Sequence, residues 1–166
     1  GLISGGSSYL LAGPNGPIPL RNSRGWRPSD RSTPNWDATH AVRTNSGYKV
    51  LLTGAATYNN KFYVWDVNSA GVITRGSGWK TAAQSTALNW EHTFSQDFDN
   101  NGLISGGSSY LLAGPNGPIT LRSSRGWRPS DRSTPHWDAT HAVRTTSGYK
   151  VLLTGAATYK NKFYVW

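Results

Sequence analysis

YKVLLTGAATYNNKFYVWDVNSAGVIT occupies residues 48–74, and this stretch decides the fold class. Its runs Tyr48–Leu52 and Lys61–Val67 are rich in β-branched and aromatic residues, and the segment between them carries Gly and Asn. Such runs, separated by turn residues, predict two antiparallel strands. A turn at Asn68–Gly71 then leads into a short third strand, Val72–Thr74. The stretch therefore predicts a small antiparallel β-meander.

Short helices are predicted on both sides of this meander. Thr33 and Pro34 are typical of a helix cap and a first helical position, because Pro is favoured there, and this helix would run to about Val42. A second helix is predicted over residues 85–94, which begin with Ser and Thr. Its residues at helical spacing are Leu88, Glu91 and Phe94.

A near-perfect internal repeat surrounds the meander. Residues Gly1–Trp65 return as Gly102–Trp166, a period of 101 residues, and five of the 65 aligned pairs differ. The differing pairs are Pro19/Thr120, Asn22/Ser123, Asn35/His136, Asn45/Thr146 and Asn59/Lys160. All five involve residues common on solvated surfaces or in turns, so we expect the chain to be a window of a longer tandem array.

A weaker repeat inside each period divides it into two related units. Asn35–Gly54 aligns with Asn89–Gly107 after one gap. The units that follow from this alignment are an A unit at 1–47, a B unit at 48–101, a second A unit at 102–148 and the start of a further B unit at 149–166. We predict a mainly β chain of tandem small antiparallel meanders with short helices, in which neighbouring units share a core.

Composition restricts the chemistry that this chain can perform. It has no Cys and no Met, which excludes disulfides, zinc-thiolate sites and thiol nucleophiles. No apolar run approaches the roughly 20 residues of a membrane span. His40 and Asp37, or His92 and Glu91, come without a nucleophile elbow, phosphate loop or metal-spaced histidine pair, so we expect no catalytic residues.

FSQDFDNNGLISGG, residues 94–107, contains a pattern typical of a calcium loop. Calcium prefers six to eight hard oxygen ligands, and D-x-D-x-[DN]-G loops supply them from alternate side chains and one carbonyl. The residues that fit these positions are Asp97, Asp99, Asn101 and the backbone of Leu103. Ser108 stands where a closing bidentate Glu would be, so affinity should be modest unless another carboxylate arrives. The alternative is a polar turn without an ion, because Asn-Gly is also a hairpin signal.

Residues 48–106 resemble the tryptophan-rich C-terminal repeat of secreted bacterial, especially cyanobacterial, calcium-binding surface proteins. The likeness lies in KFYVWDVNSAGVI, STALNWEHTF and QDFDNNGLI. In that family the last segment usually reads as a glutamine followed by an Asp-x-Asn-x-Asp-Gly loop, whereas Asn101 stands here at the third ligand position. The resemblance implies an extracellular, repetitive surface or adhesive protein and no catalytic role.

Positive charge is concentrated around one Trp in each A unit. The net charge is +9, and each A unit has five Arg against two Asp, while the complete B unit is neutral. The residues that could bind an acidic partner are Arg21, Arg24, Trp26 and Arg27, with Arg122, Arg125, Trp127 and Arg128 in the second copy. Arg planes stack on Trp and pair with anions. The alternative is that these Arg side chains, with Arg31 and Arg132, bridge to acidic residues of neighbouring B units.

The remaining Trp residues are spaced as packing residues, and the whole pattern favours a structural role. The members of this packing group are Trp36, Trp65, Trp79, Trp90 and Trp137. We predict a structural or adhesive repeat of an extracellular surface, sheath or filament protein that self-associates. Calcium is the cofactor that the sequence suggests for it. The alternative is a module that binds anionic polysaccharide through exposed Arg–Trp loops; nucleic acid is a weaker candidate, since no binding motif is present.

Overall fold

The computed structural model describes residues 1–4 and 6–166 and confirms a mainly β chain with several small antiparallel sheets and two short helices. The first strands are β1 (Leu2–Ile3), β2 (Leu10–Gly13), β3 (Gly16–Pro19), β4 (Trp36–Thr44), β5 (Gly47–Gly54), β6 (Lys61–Asn68), β7 (Ile73–Gly76) and β8 (Lys80–Thr81). They are followed by α1 (Ala82–Ala87), α2 (Trp90–Phe94), β9 (Leu103–Ile104), β10 (Leu111–Leu112), β11 (Ile119–Thr120), β12 (Trp137–Thr145), β13 (Gly148–Gly155) and β14 (Phe163–Val165).

The chain divides into two compact units, Gly1–Ala82 and Ala83–Trp166. The sequence boundary after Gly47 falls inside β5, which pairs with β4 on one side and β6 on the other. Strand β4 of the first A unit and the strands of the B unit therefore belong to one sheet. The B unit's helices lie in the second compact unit, apart from Ala82 at the start of α1.

In the first unit, β5 determines the arrangement of the larger sheet. Val50, Leu51 and Leu52 on this strand are all buried, so both of its faces must be covered. The sheet order is β4-β5-β6-β7, with β8 also paired to β6, and β1-β2-β3 form a second small sheet. The buried residues between them are Tyr9, Leu11, Leu20, Ala38, Ala41, Tyr48, Val50 and Val67.

The second unit contains one three-stranded sheet of order β12-β13-β14 and another of order β11-β10-β9. The strands β12 and β13 pair in the same register as β4 and β5, each position lying 101 residues further along. Its core cluster consists of Leu103, Tyr110, Leu112, Ala139 and Val151. Within this unit, β14 pairs with β13 alone among the described strands.

The prediction of a helix from Thr33 to about Val42 is wrong, because residues Trp36–Thr44 form β4. The Thr33 hydroxyl accepts a hydrogen bond from the Asn35 N–H and so stabilises a turn rather than a helix N-terminus. β4 then pairs with the buried strand β5 over its whole length, with one irregularity between Ala38 and His40. Tertiary pairing with a strand that must be covered outweighs the local capping signal.

The predicted helix over residues 85–94 is present as two short helices, α1 and α2, separated at Asn89. Asn89 has a φ of +58°, which no α-helix continues through. Leu88, which the spacing placed on the buried face, is 49% exposed, whereas Glu91 is fully buried. None of the helices that the structure describes has the length and apolar character that a membrane crossing requires.

The weaker alignment of the A unit with the B unit does not correspond to a shared local structure. Residues 35–54 contain the β4–β5 hairpin, whereas residues 89–107 contain α2, a loop and β9. The two stretches are similar in sequence but pack differently. β4 pairs along β5, whereas α2 buries Trp90 and Phe94. The A-unit positions that align with Asp97 and Asp99 therefore lie in β4.

Candidate functional site

The loop that the sequence marked as a calcium loop is held by its own carboxylates. Asp97 accepts hydrogen bonds from the Asn101 N–H (3.2 Å) and the Gly102 N–H (2.8 Å). Asp99 accepts from the backbone and the side-chain amide of Asn101 (3.2 and 3.1 Å). The Asn101 Oδ1 accepts from the Leu103 N–H at 2.7 Å. The four predicted residues are thus brought together in one tight loop.

The second half of the loop is anchored on β12. The Ala142 N–H donates to the Asn101 carbonyl at 2.7 Å. Gly102 has a φ of +82°, and a Cβ at this position would lie 2.0 Å from the Ala142 carbonyl oxygen. Only glycine permits both the conformation and the close approach. The Asn-Gly pair is therefore required by packing as well as by the turn.

Glu91 adds a third carboxylate that the sequence did not assign to this loop. One carboxylate oxygen from each of Glu91, Asp97 and Asp99 lies within 4.8 Å of the others, and we call these three residues the acidic cluster. Such a cluster could hold a metal ion. The sequence left room for a carboxylate from elsewhere, and Glu91, six residues before Asp97, reaches the loop from α2.

Glu91 is fully buried, yet each of its carboxylate oxygens accepts two hydrogen bonds. The Oε1 accepts from the Thr86 hydroxyl (3.0 Å) and the Phe98 N–H (3.2 Å). The Oε2 accepts from the N–H and the hydroxyl of Ser105 (3.1 and 2.9 Å). A buried carboxylate needs such donors to offset its desolvation. Glu91 therefore ties α1, the loop and the residue after β9 to one point.

The electrostatics of the acidic cluster favour the uptake of positive charge. Burial raises the pKa of Asp97, and the neighbouring Asp99 and Glu91 carboxylates raise it further, while the hydrogen bond from Gly102 opposes this rise. No Lys or Arg within the described part of the chain forms an ion pair with the cluster. Three close carboxylates without a basic partner attract a cation or a proton.

The two Arg–Trp loops, Arg21–Arg31 and Arg122–Arg132, present their Trp side chains to solvent. Trp26 is 45% exposed and Trp127 is 46% exposed. In the first loop, the Asn22 Oδ1 accepts hydrogen bonds from the N–H groups of Arg24 and Trp26. In the second loop, the Ser123 hydroxyl oxygen accepts from the Trp127 N–H instead. The change from Asn22 to Ser123 between the two copies therefore keeps a side-chain acceptor for the Trp N–H in this turn.

The Arg side chains of these loops have no ion-pair partner among the residues that the structure describes. The ion pair found there joins Lys49 to Asp66 at 2.7 Å, across β5 and β6. The bridges to acidic residues that the sequence offered as an alternative are therefore not formed within the described chain. All eight loop Arg residues are exposed: Arg21, Arg24, Arg27, Arg31, Arg122, Arg125, Arg128 and Arg132.

The packing group of Trp residues makes aromatic contacts. Trp36 and Trp65 meet edge to face at 5.3 Å between ring centroids, and Trp79 stacks on Tyr58 at 4.4 Å. Trp137 stacks on Tyr159 at 5.1 Å. Trp90 is 9% exposed and joins Phe94 on the buried side of α2. These contacts agree with the prediction that this group packs rather than binds.

A Tyr–Asp pair in each unit was not recognised from the sequence. The hydroxyl of Tyr9 donates to Asp37, and that of Tyr110 donates to Asp138 at 3.2 Å. Burial raises the pKa of Tyr110, as does the nearby Asp131 carboxylate. The separation of 28 residues between Tyr and Asp gives no periodic signal, so only the fold reveals the pair.

An open cavity of about 390 Å³ lies beside the second Tyr–Asp pair. Its lining includes two carboxylates, an amide and an indole, from Asp131, Asp138, Asn101 and Trp137. Burial raises the pKa of Asp138, and the hydrogen bond from Tyr110 opposes this. Residues of the predicted calcium loop and of β12 both line this cavity.

Comparison of the chain with protein-family models, with curated proteins and with solved structures found no match.

Proposed function

We propose that this chain is a structural and adhesive repeat segment of an extracellular bacterial surface, sheath or filament protein. The observation that supports this most is the repetition of strand pairing: β12 and β13 pair in the same register as β4 and β5, 101 residues further along the chain. A unit that recurs in both sequence and strand pairing is typical of tandem-repeat proteins, in which each repeat buries its apolar face against its neighbour. The extracellular location follows the resemblance to secreted surface repeats and the absence of Cys.

Calcium is the cation that we propose for the acidic cluster. Its ligands would be the Asp97 and Asp99 carboxylates, the Asn101 side-chain oxygen and the Leu103 carbonyl, all hard oxygen donors. The two oxygens of Glu91 already accept two hydrogen bonds each, so we assign Glu91 to positioning the loop and adding negative charge. Bound calcium would stabilise the region where α2, the loop and β9 meet.

Electron microscopy of the purified chain, with calcium and then with a chelator, tests both parts of this proposal. Filaments that fray or shorten on chelation are the expected result. Filaments that are unaffected by the chelator would support the structural role and contradict a role for calcium in the assembly. Discrete particles under both conditions, at every protein concentration tested, would contradict the structural role.

A second candidate function is the binding of anionic polysaccharide by the Arg–Trp loops. The observation that favours it is the exposure of Trp26 and Trp127, each close in sequence to exposed Arg residues that have no ion-pair partner in the described chain. An exposed indole offers a flat apolar surface to a sugar ring, and guanidinium groups pair with its sulfate or carboxylate. An adhesive surface protein would use both functions.

A glycan array that includes sulfated and uronic-acid polysaccharides tests this second function. The double variant Trp26→Ala and Trp127→Ala should lose most of the signal. Arg75→Ala, which removes an exposed Arg outside the loops, serves as the matched control and should leave the signal unchanged. Absence of any glycan signal from the unmodified chain would exclude this function. If the chain binds single-stranded nucleic acid and no glycan, the Arg–Trp loops would be assigned to nucleic-acid binding instead.

A further inference from the structure

The open cavity of about 390 Å³ carries negative charge that has no basic partner, and we call it the Asp138 cavity. Asp131 and Asp138 both line it, and none of its described lining residues is Lys, Arg or His. The ion pair that the described chain forms lies elsewhere, between Lys49 and Asp66. All lining residues fall between positions 86 and 156, inside the second compact unit. The cavity is therefore a recess whose charge favours a cation.

Hydrogen bonds hold both carboxylates at the wall of this cavity. The Tyr110 hydroxyl donates to Asp138 at 3.2 Å. Asp131 lies in a turn that is closed by Thr134, whose hydroxyl and N–H both donate to the Ser130 carbonyl, at 2.8 and 3.1 Å. Burial raises the pKa of Asp138, and the neighbouring Asp131 carboxylate raises it further. The two carboxylates are therefore fixed close to each other without any ligand.

The first unit contains the same combination of one Tyr and two Asp. The Tyr9 hydroxyl donates to Asp37, and the carboxylates of Asp37 and Asp30 add to the rise in the pKa of Tyr9 that burial causes. The chain has eight acidic residues, and the others are Asp66, which pairs with Lys49, and the acidic cluster. Since the cluster is assigned to calcium, the Tyr–Asp pairs supply the carboxylates that remain for the unpaired Arg side chains.

The Arg–Trp loops present their Arg side chains on a tight and exposed turn. The Asn22 N–H donates to the Trp26 carbonyl at 2.9 Å, and the Gly25 N–H donates to the Asn22 carbonyl at 3.1 Å. Arg24 and Gly25 therefore form the tip of the turn. In the second copy, Ser123 replaces Asn22, and the same two backbone bonds form at 2.8 and 2.9 Å. A Cβ on Gly25 would meet no atom within 4 Å, so the tip lies in open space.

The chemistry of this tip is complementary to that of the Asp138 cavity. A guanidinium group forms paired hydrogen bonds with carboxylates, and its plane stacks on aromatic rings. The cavity offers two carboxylates and the indole of Trp137. Arg and Trp are also among the residues that most often dominate the binding energy of protein interfaces. Because copies with a net charge of +9 repel one another, their association requires such specific pairing.

We propose that the Asp138 cavity is a docking site for the tip of an Arg–Trp loop, with Arg24 or its counterpart Arg125, supplied by a second copy of this chain. This inference rests on the proposed structural function and names a contact through which copies associate. The guanidinium group pairs with Asp131 and Asp138, and the Trp of the loop adds apolar contact.

The contact is heterologous, because the loop and the cavity are different surfaces of the chain. Each bound copy still offers a loop and a cavity to further copies, so the contact propagates rather than closes. The loop and the Tyr–Asp pair both recur after 101 residues. Two neighbouring arrays can therefore bind each other at several points, which strengthens their association beyond that of a single contact.

Sedimentation velocity of the full chain over a range of concentrations tests the cavity. Self-association should weaken at high ionic strength, since the contact is between charges. Asp131→Asn with Asp138→Asn should weaken it by about tenfold or more, because Asn still accepts from Tyr110 but lacks the charge. Asn45→Lys with Thr146→Lys, at exposed turn positions that differ between the copies, changes the net charge equally and should weaken association far less.

A second pair of variants tests the loop. Arg24→Ala with Arg125→Ala should weaken self-association as much as the loss of the two carboxylates does. Arg24→Lys with Arg125→Lys should restore only part of it, because Lys lacks the planar fork of Arg. Arg43→Ala with Arg144→Ala removes two exposed Arg on β4 and β12 and is the matched control. An equal loss in this control would show a general charge effect and overturn the docking site.

A mixture of two variants tests whether the loop and the cavity bind each other. The chain with both Asp replaced keeps its two loops, and the chain with Arg24 and Arg125 replaced keeps its cavity. At a concentration at which each stays monomeric alone, the mixture should form complexes of one loop-bearing chain with up to two cavity-bearing chains. Such complexes would also show that both variants are folded. A mixture that stays monomeric would overturn the inference.

The inference and the proposed function can fail separately. Filaments of the chain with Asp131→Asn and Asp138→Asn that match those of the unmodified chain would overturn the docking site and retain the structural function. Mixed complexes of the two variants, without filaments of the unmodified chain, would support the docking site and contradict the structural function. An unmodified chain that stays monomeric at every concentration would overturn both.

Discussion

The N–H and the hydroxyl of Ser105 both donate hydrogen bonds to the same oxygen of Glu91, fourteen residues earlier in the chain. With the bonds from Thr86 and Phe98, this carboxylate connects one helix, the loop and the end of a strand. These four hydrogen bonds explain how a carboxylate can be fully buried in the second unit.

Glu91→Ala should lower the free energy of unfolding of the second unit by about 3 kcal/mol, because it removes the acceptor of four hydrogen bonds, among them those of the Phe98 and Ser105 N–H groups. Glu91→Gln should cost less, since its amide oxygen still accepts from one pair of donors. Urea unfolding, with hydrogen exchange to assign the loss to residues 83–166, measures the effect. His92→Ala, the exposed neighbour on α2, is the control. Equal stability of Glu91→Ala and His92→Ala would contradict this account.

Calcium affinity should depend on Asp97 and Asp99. Replacing either by Asn removes one negative charge from the ligand set and should weaken calcium binding at least tenfold. Calorimetry, or terbium luminescence excited through Trp, measures the affinity. Asp131→Asn, a carboxylate outside the acidic cluster, should leave the affinity unchanged. A drop as large in the control as in Asp97→Asn would place the ion elsewhere.

His40 should make the first unit less stable in mild acid. Burial lowers the pKa of His40, and its Nδ1 makes no hydrogen bond within the described chain. The unfolded chain therefore binds the proton more readily, so the stability present above pH 6.5 is lost as the pH falls through the folded pKa. His40→Gln should flatten this dependence between pH 7.5 and pH 5.

Thermal unfolding at several pH values checks this dependence on His40. His141, the counterpart in the second unit, is exposed, so His141→Gln should leave the pH profile of the chain intact. Parallel profiles for His40→Gln and the unmodified chain would show that His40 titrates alike in both states.

Two glycines that share a positive φ should differ in their tolerance of alanine. Gly78→Ala, with φ +74° and open space around the position, should cost about 1 kcal/mol, the strain of the left-handed conformation. Gly71→Ala adds a clash with the Pro19 carbonyl and should cost roughly 3 kcal/mol. Chemical denaturation of the two variants compares them. Similar costs would mean that the β3 backbone yields to the added methyl.

Local patterns predicted the strands that carry their own signal, and β4 shows why a strand without such a signal was predicted wrongly. The strands β5 and β6 follow from their β-branched and aromatic runs, and the turn at Asn68–Gly71 follows from its composition. The strand β4 was predicted as a helix, because WDATHAVRT lacks a dominant alternation and is preceded by Thr-Pro. Its conformation is set by the need to cover β5, which is a property of the sheet and not of residues 36–44.

The sequence predicted those residues of the candidate site that lie close together along the chain. The spacing of Asp97, Asp99 and Asn101 is visible in the sequence, and the structure adds Glu91, which the helical pattern had treated as part of an otherwise apolar face. Its burial depends on donors from residues 86, 98 and 105. Because these donors come from separate elements, no window along the sequence contains them together.

Protection from aggregation in this protein depends on what covers a strand as well as on the sequence of that strand. The pentapeptide KFYVW is aromatic, β-prone and free of Pro, which are the features that mark an amyloid-forming window. In the first unit, β7 and β8 pair with this strand and occupy its outer edge. A substitution in β7 or β8 that weakens this pairing should therefore raise the aggregation propensity of an unchanged β6, an effect that no scan of the β6 sequence would show.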